Sequence, residues 1–310
     1  MKSMTAENRE NVKEAVATCF LIAGQRLALL LPASVDVATY LPSFMDFREE
    51  GDVPIEEAQV VVDLRLAIAP ALAEERKLLS DVSIEWGDRF RFEESASLYI
   101  TTVDSERSEH GLVMHSSKDF QHSIIYASLA EMSSSTVLSW LLMVAYGQAV
   151  LAFKTILIHA SVIAHNKRGI AFLGKSGTGK STHSRLWLQH ISGSQLLNDD
   201  NPAVRVLPDG EVWIFGTPWS GKTPCYINKG VPLQGIVRLQ QAAENRFSLC
   251  SGKLALITLL PSCTSIRWNR ELFDQMVNTI GLVIAKVKVG QLACLPNAEA
   301  AQMSYKEIMN

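Results

Sequence analysis

Residues 174–181 are Gly174-Lys175-Ser176-Gly177-Thr178-Gly179-Lys180-Ser181, and they match the phosphate-loop pattern G-x-x-x-x-G-K-[ST]. An apolar, strand-like stretch at 169–173 precedes the segment, and a helical pattern follows it as far as Ile191. The glycines let backbone N–H groups curl around phosphate oxygens without a side-chain clash, and the following helix adds the partial positive charge of its N-terminus. The sequence therefore predicts a phosphate-binding loop between a strand and a helix.

Two side chains of this loop have predicted roles of their own. Lys180 would reach the terminal phosphates as a point charge, and the hydroxyl of Ser181 would be a magnesium ligand. Thr182 follows them directly and completes the predicted nucleotide-binding set, 174–182. We therefore expect ATP and Mg²⁺ as the cofactors.

Other nucleotide-binding classes are disfavoured by missing elements. Guanine-specific proteins carry Asn-Lys-x-Asp, but here Asn166-Lys167 is followed by Arg168-Gly169, and Asn228-Lys229 is followed by Gly230-Val231. The Leu-Ser-Gly-Gly-Gln element of transport ATPases does not occur either. Neither a GTPase nor a transport ATPase is therefore favoured.

A β-hairpin is predicted directly before the loop, with strands at 157–164 and 169–173. If its turn centres on Asn166 and Lys167, Ala164 lies opposite Gly169 and His159 lies opposite Gly174. The register therefore places His159 at the mouth of the phosphate site, although a strand histidine is more often a satisfied core residue.

Asp199 and Asp200 follow a short predicted strand at 195–198, which the loop helix leads into. Ligands of α/β sheets bind at this end of the strands. Adjacent carboxylates point to opposite faces, so one could hold magnesium while the other accepts a hydroxyl proton. We assign the metal to Ser181 and Asp200, and we leave open which aspartate is the base. Asp-Asp-Asn-Pro is also ordinary turn chemistry.

These residues together resemble the HPr kinase/phosphorylase family, whose phosphate loop lies in a fold shared with phosphoenolpyruvate carboxykinases. The resemblance covers 157–206 well and the remainder to 310 loosely. It implies an α/β ATP-binding catalytic domain with a mixed sheet. It also implies that His159 and one aspartate form the proton-transfer pair, and that Lys180 grips the transferred phosphoryl group.

The chain departs from the family pattern at several positions. Thr182 stands where family members often have Glu, and Trp213-Ile214-Phe215-Gly216 replaces a magnesium-holding Glu-Ile-Arg-Gly element, with Glu211 as the only carboxylate close by. For the distal arginine of the family, Lys222 is the first candidate and Arg246 the second. Lys222 would lie on a flap, 216–222, that closes over the phosphoryl group, or it is a solvated lysine beside a packed indole. This segment is similar to one in HPr-kinase-like proteins, some of which are associated with phosphorylation of ribosomally made peptides.

The remaining sequence predicts a second domain. We expect a smaller mixed α/β domain at 1–132, serving the substrate side or oligomerisation, and the catalytic domain at 133–310. In the first domain, a strand–turn–strand is predicted at 15–32 and a helix at 35–48, followed by strands at 59–68, 82–86, 89–92 and 97–102. The uncharged stretch 132–153 is long enough to span a bilayer, but we interpret it as a helix buried inside a domain.

The composition bears on the expected partners and on the expected cellular compartment. The 310 residues carry a formal net charge of −3 and no basic run, so nucleic acid is not an expected partner. Five cysteines without CxxC spacing suit the cytoplasm rather than a disulfide framework. We expect a cytoplasmic ATP-dependent kinase, without membrane attachment and with a homo-oligomer as one expected state, that phosphorylates a serine hydroxyl of a peptide or protein. The alternatives are a kinase of a small molecule such as free serine, or a non-catalytic nucleotide-sensing module.

Overall fold

The computed structural model describes residues 15–51, 53–83, 88–105, 111–133, 136–221 and 223–309. They form an α/β protein that divides into two compact units, each with its own mixed sheet. The first unit contains Gln25–Ala149 and the residues described before Ile22, and the second contains Ile22–Gly24 and Val150–Asn310. In the described ranges, no helix combines the length and the apolar character needed to cross a membrane.

Eight described strands make the sheet of the first unit, in the order β1-β2-β3-β8-β7-β6-β5-β4. Their bounds are β1 Ala15–Ile22, β2 Gln25–Pro32, β3 Val60–Leu66, β4 Lys77–Ser83, β5 Asp88–Glu94, β6 Tyr99–Ser105, β7 Leu112–Ser116 and β8 His122–Ala127. The expected strand–turn–strand at 15–32 and the expected strands at 59–68, 89–92 and 97–102 are found. The strand expected at 82–86 overlaps the end of β4, and its residues 84–86 lie outside the described part of the chain.

The helices of the first unit are shorter than the sequence predicts. They are α1 Val37–Tyr40, α2 Leu129–Ser133 and α3 Val137–Ala149, with 3₁₀ turns at Pro42–Phe47 and Ile55–Glu57. A single helix at 35–48 was a wrong expectation, because Pro42 cannot continue α1 and begins a separate 3₁₀ turn. The stretch 132–153 is likewise divided among α2, α3 and a 3₁₀ turn at Val150–Phe153.

The expectation that this apolar stretch is buried is confirmed for α3. Val137, Leu141 and Ala145 are buried, and so is the polar Gln148. A helix that is apolar on every face is typical of one enclosed by its own domain. The first compact unit ends with this helix at Ala149, whereas the sequence analysis assigned 133–149 to the second domain.

The second unit carries the predicted phosphate loop. Its strands are β9 Thr155–Leu157, β10 Ala160–His165, β11 Arg168–Leu173, β12 Ser194–Asn198, β13 Ala203–Val206, β14 Val212–Phe215, β15 Gly230–Gln241, β16 Arg246–Cys250 and β17 Lys288–Cys294. Strand β11 runs parallel to β15, and β15 runs parallel to β17. Strand β10 is antiparallel to both β11 and β12. The start of β10 and the ends of β11, β12, β15 and β17 therefore share one edge of the sheet.

Helices cover both faces of this sheet. They are α4 Lys180–His190, α5 Gly252–Leu259, α6 Arg270–Ile284 and α7 Ala298–Met309, with a 3₁₀ turn at Leu260–Ser262. Trp187 of α4 is fully buried in a cluster with Phe172, Val237, Leu292 and Ile308. Burial of a side chain of this kind contributes roughly 1.5–3 kcal/mol. This core fixes α4, and therefore the end of the phosphate loop, against the sheet.

The predicted register of the β10–β11 hairpin is confirmed. Ala164 pairs with Gly169, and Ala160 pairs with Leu173. Asn166 and Lys167 have φ values of 46° and 61°. Positive φ at both central residues is the geometry of the tight turn whose twist matches the flanking strands.

Candidate active site

The loop 174–179 joins β11 to α4 and closes on itself through Thr178. The backbone N–H and the side-chain hydroxyl of Thr178 both donate to the carbonyl of Lys175, at 3.1 and 2.7 Å. A Cβ added to the buried Gly174 would lie 2.2 Å from Thr178 Oγ1, so only glycine permits this closure.

The outer part of the loop is open. Gly177 and Gly179 have φ values of 80° and 100°, and a Cβ placed on Gly177 would meet no atom within 4 Å. Helix α4 begins at Lys180 with no side-chain cap on its first N–H groups. Uncapped N–H groups at a helix start beside an open loop are suited to anionic oxygens.

Lys180 points into the site rather than into solvent. Its Nζ lies 2.9 Å from Nε2 of His159 and donates to the carbonyl of Gly174 at 3.1 Å. Burial lowers the pKa of Lys180, Asp200 and Asp199 oppose that shift, and the charge of Arg238 adds to it. The ammonium is held where the loop begins.

His159 and Asp200 form a pair. His159 Nδ1 lies 2.9 Å from Asp200 Oδ1. Because the Lys180 ammonium can only donate, His159 Nε2 must accept, and the imidazole proton is therefore assigned to Nδ1, where it is donated to the carboxylate. Three side chains thus form one chain of hydrogen bonds, Lys180–His159–Asp200.

His159 owes its position to a break in the chain. The sequence predicts one strand over 157–164, but the structure has β9 ending at Leu157 and β10 beginning at Ala160. In the gap, the His159 N–H donates to the carbonyl of Ser262 at 2.6 Å. His159 therefore lies beside Gly174, at the expected end of the hairpin, but outside the ladder.

The segment that carries Asp200 is fixed by amide side chains. The Asp200 N–H donates to Asn198 Oδ1 at 3.0 Å, and Asn201 Nδ2 donates to Asp200 Oδ2 at 2.9 Å. Asp199 is 8% exposed, and its Oδ1 has no hydrogen-bond partner among the described residues. The two carboxylates therefore differ: Asp200 is paired with His159, and Asp199 is buried with one acceptor atom unsatisfied.

The oxygen donors expected to hold magnesium are chemically suitable for it. Ser181 is exposed at the start of α4, and Asp200 keeps lone pairs beyond those used by His159 and Asn201. Mg²⁺ prefers a hydroxyl, one or two carboxylates, substrate phosphates and water to a closed protein cage. In agreement, no group of three His, Cys, Asp or Glu side chains in the described ranges could hold a metal by itself.

Glu211 does not join these donors. It lies in the turn between β13 and β14, where the Trp213 indole donates to it at 2.9 Å. Strand β13 runs from Ala203, next to the aspartate segment, to Val206, next to this turn. Three strand steps separate the two ends by about 10 Å. Glu211 therefore does not supply a carboxylate near Asp200.

The segment proposed as a flap is anchored at its first half. Thr217 is fully buried, and its hydroxyl donates to the Asn201 carbonyl at 2.7 Å. Trp219 is also buried, and a Cβ on Gly216 would lie 2.1 Å from the Ile227 carbonyl. Close backbone packing therefore surrounds Gly216, the first residue of the segment expected to act as a flap, and the flap itself stays a prediction. Lys222 lies outside the described residues, so its proposed role stays a prediction.

One cation of this edge was missed by the sequence analysis. Arg238 pairs with Leu173, directly before the loop, and with Gln291 on the other side. The signal was a charged residue inside the apolar run Ile236-Val237-Arg238-Leu239. Arg246, the second candidate for a distal arginine, is instead an exposed residue at the start of β16.

Comparisons with known proteins add little to this geometry. No protein-family model matches the chain, and no curated protein matches its sequence. Among solved structures, the chain is similar to an Hpr(Ser) kinase/phosphatase from Coxiella burnetii, with 12% identity over 50% of this chain and 94% of that chain, and a TM-score of 0.29. A likeness of this size carries no assignment of family or function.

Proposed function

We propose that this protein is an ATP-dependent phosphotransferase that transfers the γ-phosphoryl group to a hydroxyl. The observation that carries the proposal is the chain of hydrogen bonds from Lys180 through His159 to Asp200, which begins at the first residue of an open glycine loop. A phosphate cradle and a group able to take a proton thus lie together at one edge of the sheet.

The loop and Lys180 would bind and orient the nucleotide. The backbone N–H groups of the loop other than that of Thr178, together with those of the first turn of α4, would donate to phosphate oxygens. Lys180 would exchange its contact with neutral His159 for a terminal phosphate. Desolvation favours this exchange, because a half-buried ammonium gains more from an anion than from a neutral imidazole.

His159 and Asp200 would handle the proton. When Lys180 turns to the phosphate, His159 Nε2 becomes free to accept the hydrogen of the acceptor hydroxyl. The acceptor oxygen then forms its bond to the γ-phosphorus, and the bond from that phosphorus to the bridging oxygen breaks, so that ADP leaves. Asp200, bonded to Nδ1, stabilises the imidazolium that results.

Ser181 and Asp200 would hold the magnesium ion, which when bound supplies charge neutralisation to the phosphates. Asp199 has a different task in this proposal. Its buried carboxylate lies next to Asp200 in sequence and, with Asp200, opposes the lowering of the Lys180 pKa by burial; it would not contact the acceptor.

For the acceptor, we propose a serine hydroxyl of a peptide or protein. This assignment rests on the resemblance of His159, the loop and the aspartate pair to HPr-kinase-like proteins. A metabolite hydroxyl, such as that of free serine, would use the same groups.

The test is phosphoryl transfer from γ-labelled ATP with magnesium. Wild-type protein is incubated with serine-containing peptides, with free serine and without an acceptor, beside Lys180→Ala and the control Lys253→Ala, which removes an exposed lysine of α5. We expect label on a serine hydroxyl with the wild type and the control only. Nucleotide binding without transfer to any acceptor would favour the nucleotide-sensing module instead.

A further inference from the structure

Arg238 is a half-buried cation that forms no ion pair among the described residues. Its Nε donates to the Thr258 carbonyl at 2.7 Å, and one terminal nitrogen donates to Ser262 Oγ at 2.9 Å. Both partners are neutral, and none of the ion pairs in the described part of the chain involves Arg238. Burial lowers the pKa of Arg238. A desolvated charge of this kind is costly unless an anion joins it.

Arg238 is one of the residues that line a cavity of about 570 Å³ beside the phosphate loop. The described residues that line it include no carboxylate; they are Lys175, Ser176, Gly177, Thr178, Arg238, Leu239, Gln240, Gln241 and Gln291. Two of them are cations, and three are glutamines. The volume falls within the range of small-molecule sites. The lining therefore suits a ligand that carries negative charge.

The cavity and the Lys180–His159–Asp200 chain lie on opposite sides of the loop. On one side, His159 directly precedes β10 and Asp200 follows the end of β12. On the other side, Arg238 and Gln291 are paired residues of β15 and β17. The amide of Gln241 donates to the Gly177 carbonyl at 3.3 Å and thereby ties the cavity to the loop. A phosphate chain that ends at Lys180 and crosses the loop would enter this cavity.

We propose that Arg238 binds a phosphate oxygen of the nucleotide, as a second cation across the loop from Lys180. The proposal rests on the function proposed above, which it deepens by naming a residue that neither the motif nor the spacing indicates. The guanidinium presents further N–H donors beyond the two that Thr258 and Ser262 occupy, and it can keep those two while it accepts an anion.

Arg238 also has a path to His159. The Ser262 hydroxyl accepts from Arg238, and the Ser262 carbonyl accepts from the His159 N–H at 2.6 Å. Loss of the guanidinium would therefore loosen the segment that supports His159. We expect transfer to fall somewhat further than nucleotide affinity does.

The experiment compares wild type, Arg238→Gln and Arg238→Lys with the control Arg270→Gln, which removes an exposed arginine of α6. ATP, inorganic pyrophosphate and adenosine are each titrated by calorimetry, and thermal unfolding is measured with and without ATP. One charge-assisted hydrogen bond corresponds to roughly 10–100-fold in affinity. We expect Arg238→Gln to weaken the binding of ATP and of pyrophosphate by about that factor and to leave the binding of adenosine unchanged. Arg238→Lys should recover part of the lost affinity.

Thermal unfolding separates ligand binding from a structural role. Removing an uncompensated cation should leave the Tm of the free protein unchanged or higher, while the increase of Tm on adding ATP shrinks. A lower Tm with an undiminished ATP-induced increase would overturn the proposal and make Arg238 a structural residue. If Arg238→Gln does not fold, an affinity of folded Arg238→Lys equal to that of wild type would overturn it as well.

Three further outcomes distinguish failure of this inference from failure of the proposed function. Unchanged ATP and pyrophosphate affinity in Arg238→Gln, with binding that still depends on Lys180, would overturn this inference and leave the proposed function standing. Weaker binding of adenosine alone by Arg238→Gln would assign the cavity to the adenine base of the nucleotide and not to a phosphate. Failure of the wild type to bind either ATP or pyrophosphate would overturn both the inference and the proposed function.

Discussion

The two sides of the phosphate loop differ in how their charged side chains are paired. On the β10–β12 side, Lys180, His159 and Asp200 are hydrogen-bonded to one another, since Lys180 contacts His159 and His159 contacts Asp200. On the β15–β17 side, Arg238 has only neutral partners among the described residues. Three side chains that are hydrogen-bonded to one another can hold and move a proton between them, whereas a half-buried cation with only neutral partners is costly unless an anionic ligand joins it.

The largest effect is expected at the residue that the two sides share. Lys180→Ala removes the cation at the start of α4, and we expect the rate of phosphoryl transfer to fall by about 10²–10³-fold. Loss of one preorganised hydrogen-bond donor to charge that develops in the transition state lowers kcat by about that factor. Initial rates with γ-labelled ATP measure the loss. An equal loss in Lys253→Ala, which removes an exposed lysine of α5, would contradict a specific role of Lys180.

The paired side should behave as one unit. His159→Ala and Asp200→Asn should each slow transfer by about 10²-fold, and the double variant should be scarcely slower than the worse single one, since both remove the same proton acceptor. A double-mutant cycle on kcat measures the coupling.

Asp199→Asn provides the matched comparison. Among the described residues, no hydrogen bond or ion pair joins Asp199 to His159, so the losses of His159→Ala and Asp199→Asn should multiply. Multiplicative losses for Asp200 as well would contradict a shared proton-transfer step.

How much of this site follows from the sequence depends on the kind of signal. The loop, the hairpin register and the aspartate pair are local patterns, so the motif, the Asn166-Lys167 turn and the strand ends indicate them directly. The contact between Lys180 and His159 follows from that register. The break at His159 does not, because the carbonyl that holds it belongs to Ser262, far along the chain.

Longer-range features were harder to predict for the same reason. Arg238 becomes notable only when β15 is placed parallel to β11, beside the loop. Strand β16 and helix α5 were not anticipated, because their short segments show little periodicity and gain their structure from packing on β17. The apolar stretch 132–153 predicts burial correctly, but its division into α2, α3 and a 3₁₀ turn depends on tertiary packing.

A smaller effect, on the pH dependence of stability, is expected from His183 in the core beneath the loop. His183 of α4 is buried against Phe172, with a ring-centroid distance of 4.6 Å, and its Nε2 lies 3.0 Å from Ser304 Oγ. Burial lowers the pKa of His183 to about 4. The Ser304 hydroxyl donates to the Ala301 carbonyl, so His183 must be the donor in their contact.

This depressed pKa sets a pH dependence of stability. Above about pH 6.5 neither the folded nor the unfolded state protonates His183, and below that value only the unfolded state does, until the folded pKa is reached. Stability should therefore fall as the pH falls, by about 2 kcal/mol between about pH 7.5 and about pH 5. Urea unfolding of wild type and His183→Gln measures this, and an equal pH slope in the two proteins would contradict it.

The smallest effect is expected at Glu211. Because its turn lies at the far end of the β13–β14 hairpin from Asp200, Glu211→Gln should change the transfer rate and the magnesium dependence by less than about twofold. Magnesium titrations of the initial rate measure this. A large increase in the magnesium concentration required would show that the metal lies nearer to the hairpin turn than to Ser181 and Asp200.

The central claim is that residues 174–181 bind a nucleotide through its phosphates with Lys180 as the contact to the terminal group. Calorimetric titration of ATP with magnesium into wild type and Lys180→Ala tests this most directly. The account predicts saturable binding at one site in the wild type and a loss of about 10-fold or more in the variant, with ADP less affected than ATP. Equal affinity of the two proteins for ATP, or no binding by the wild type, would contradict it.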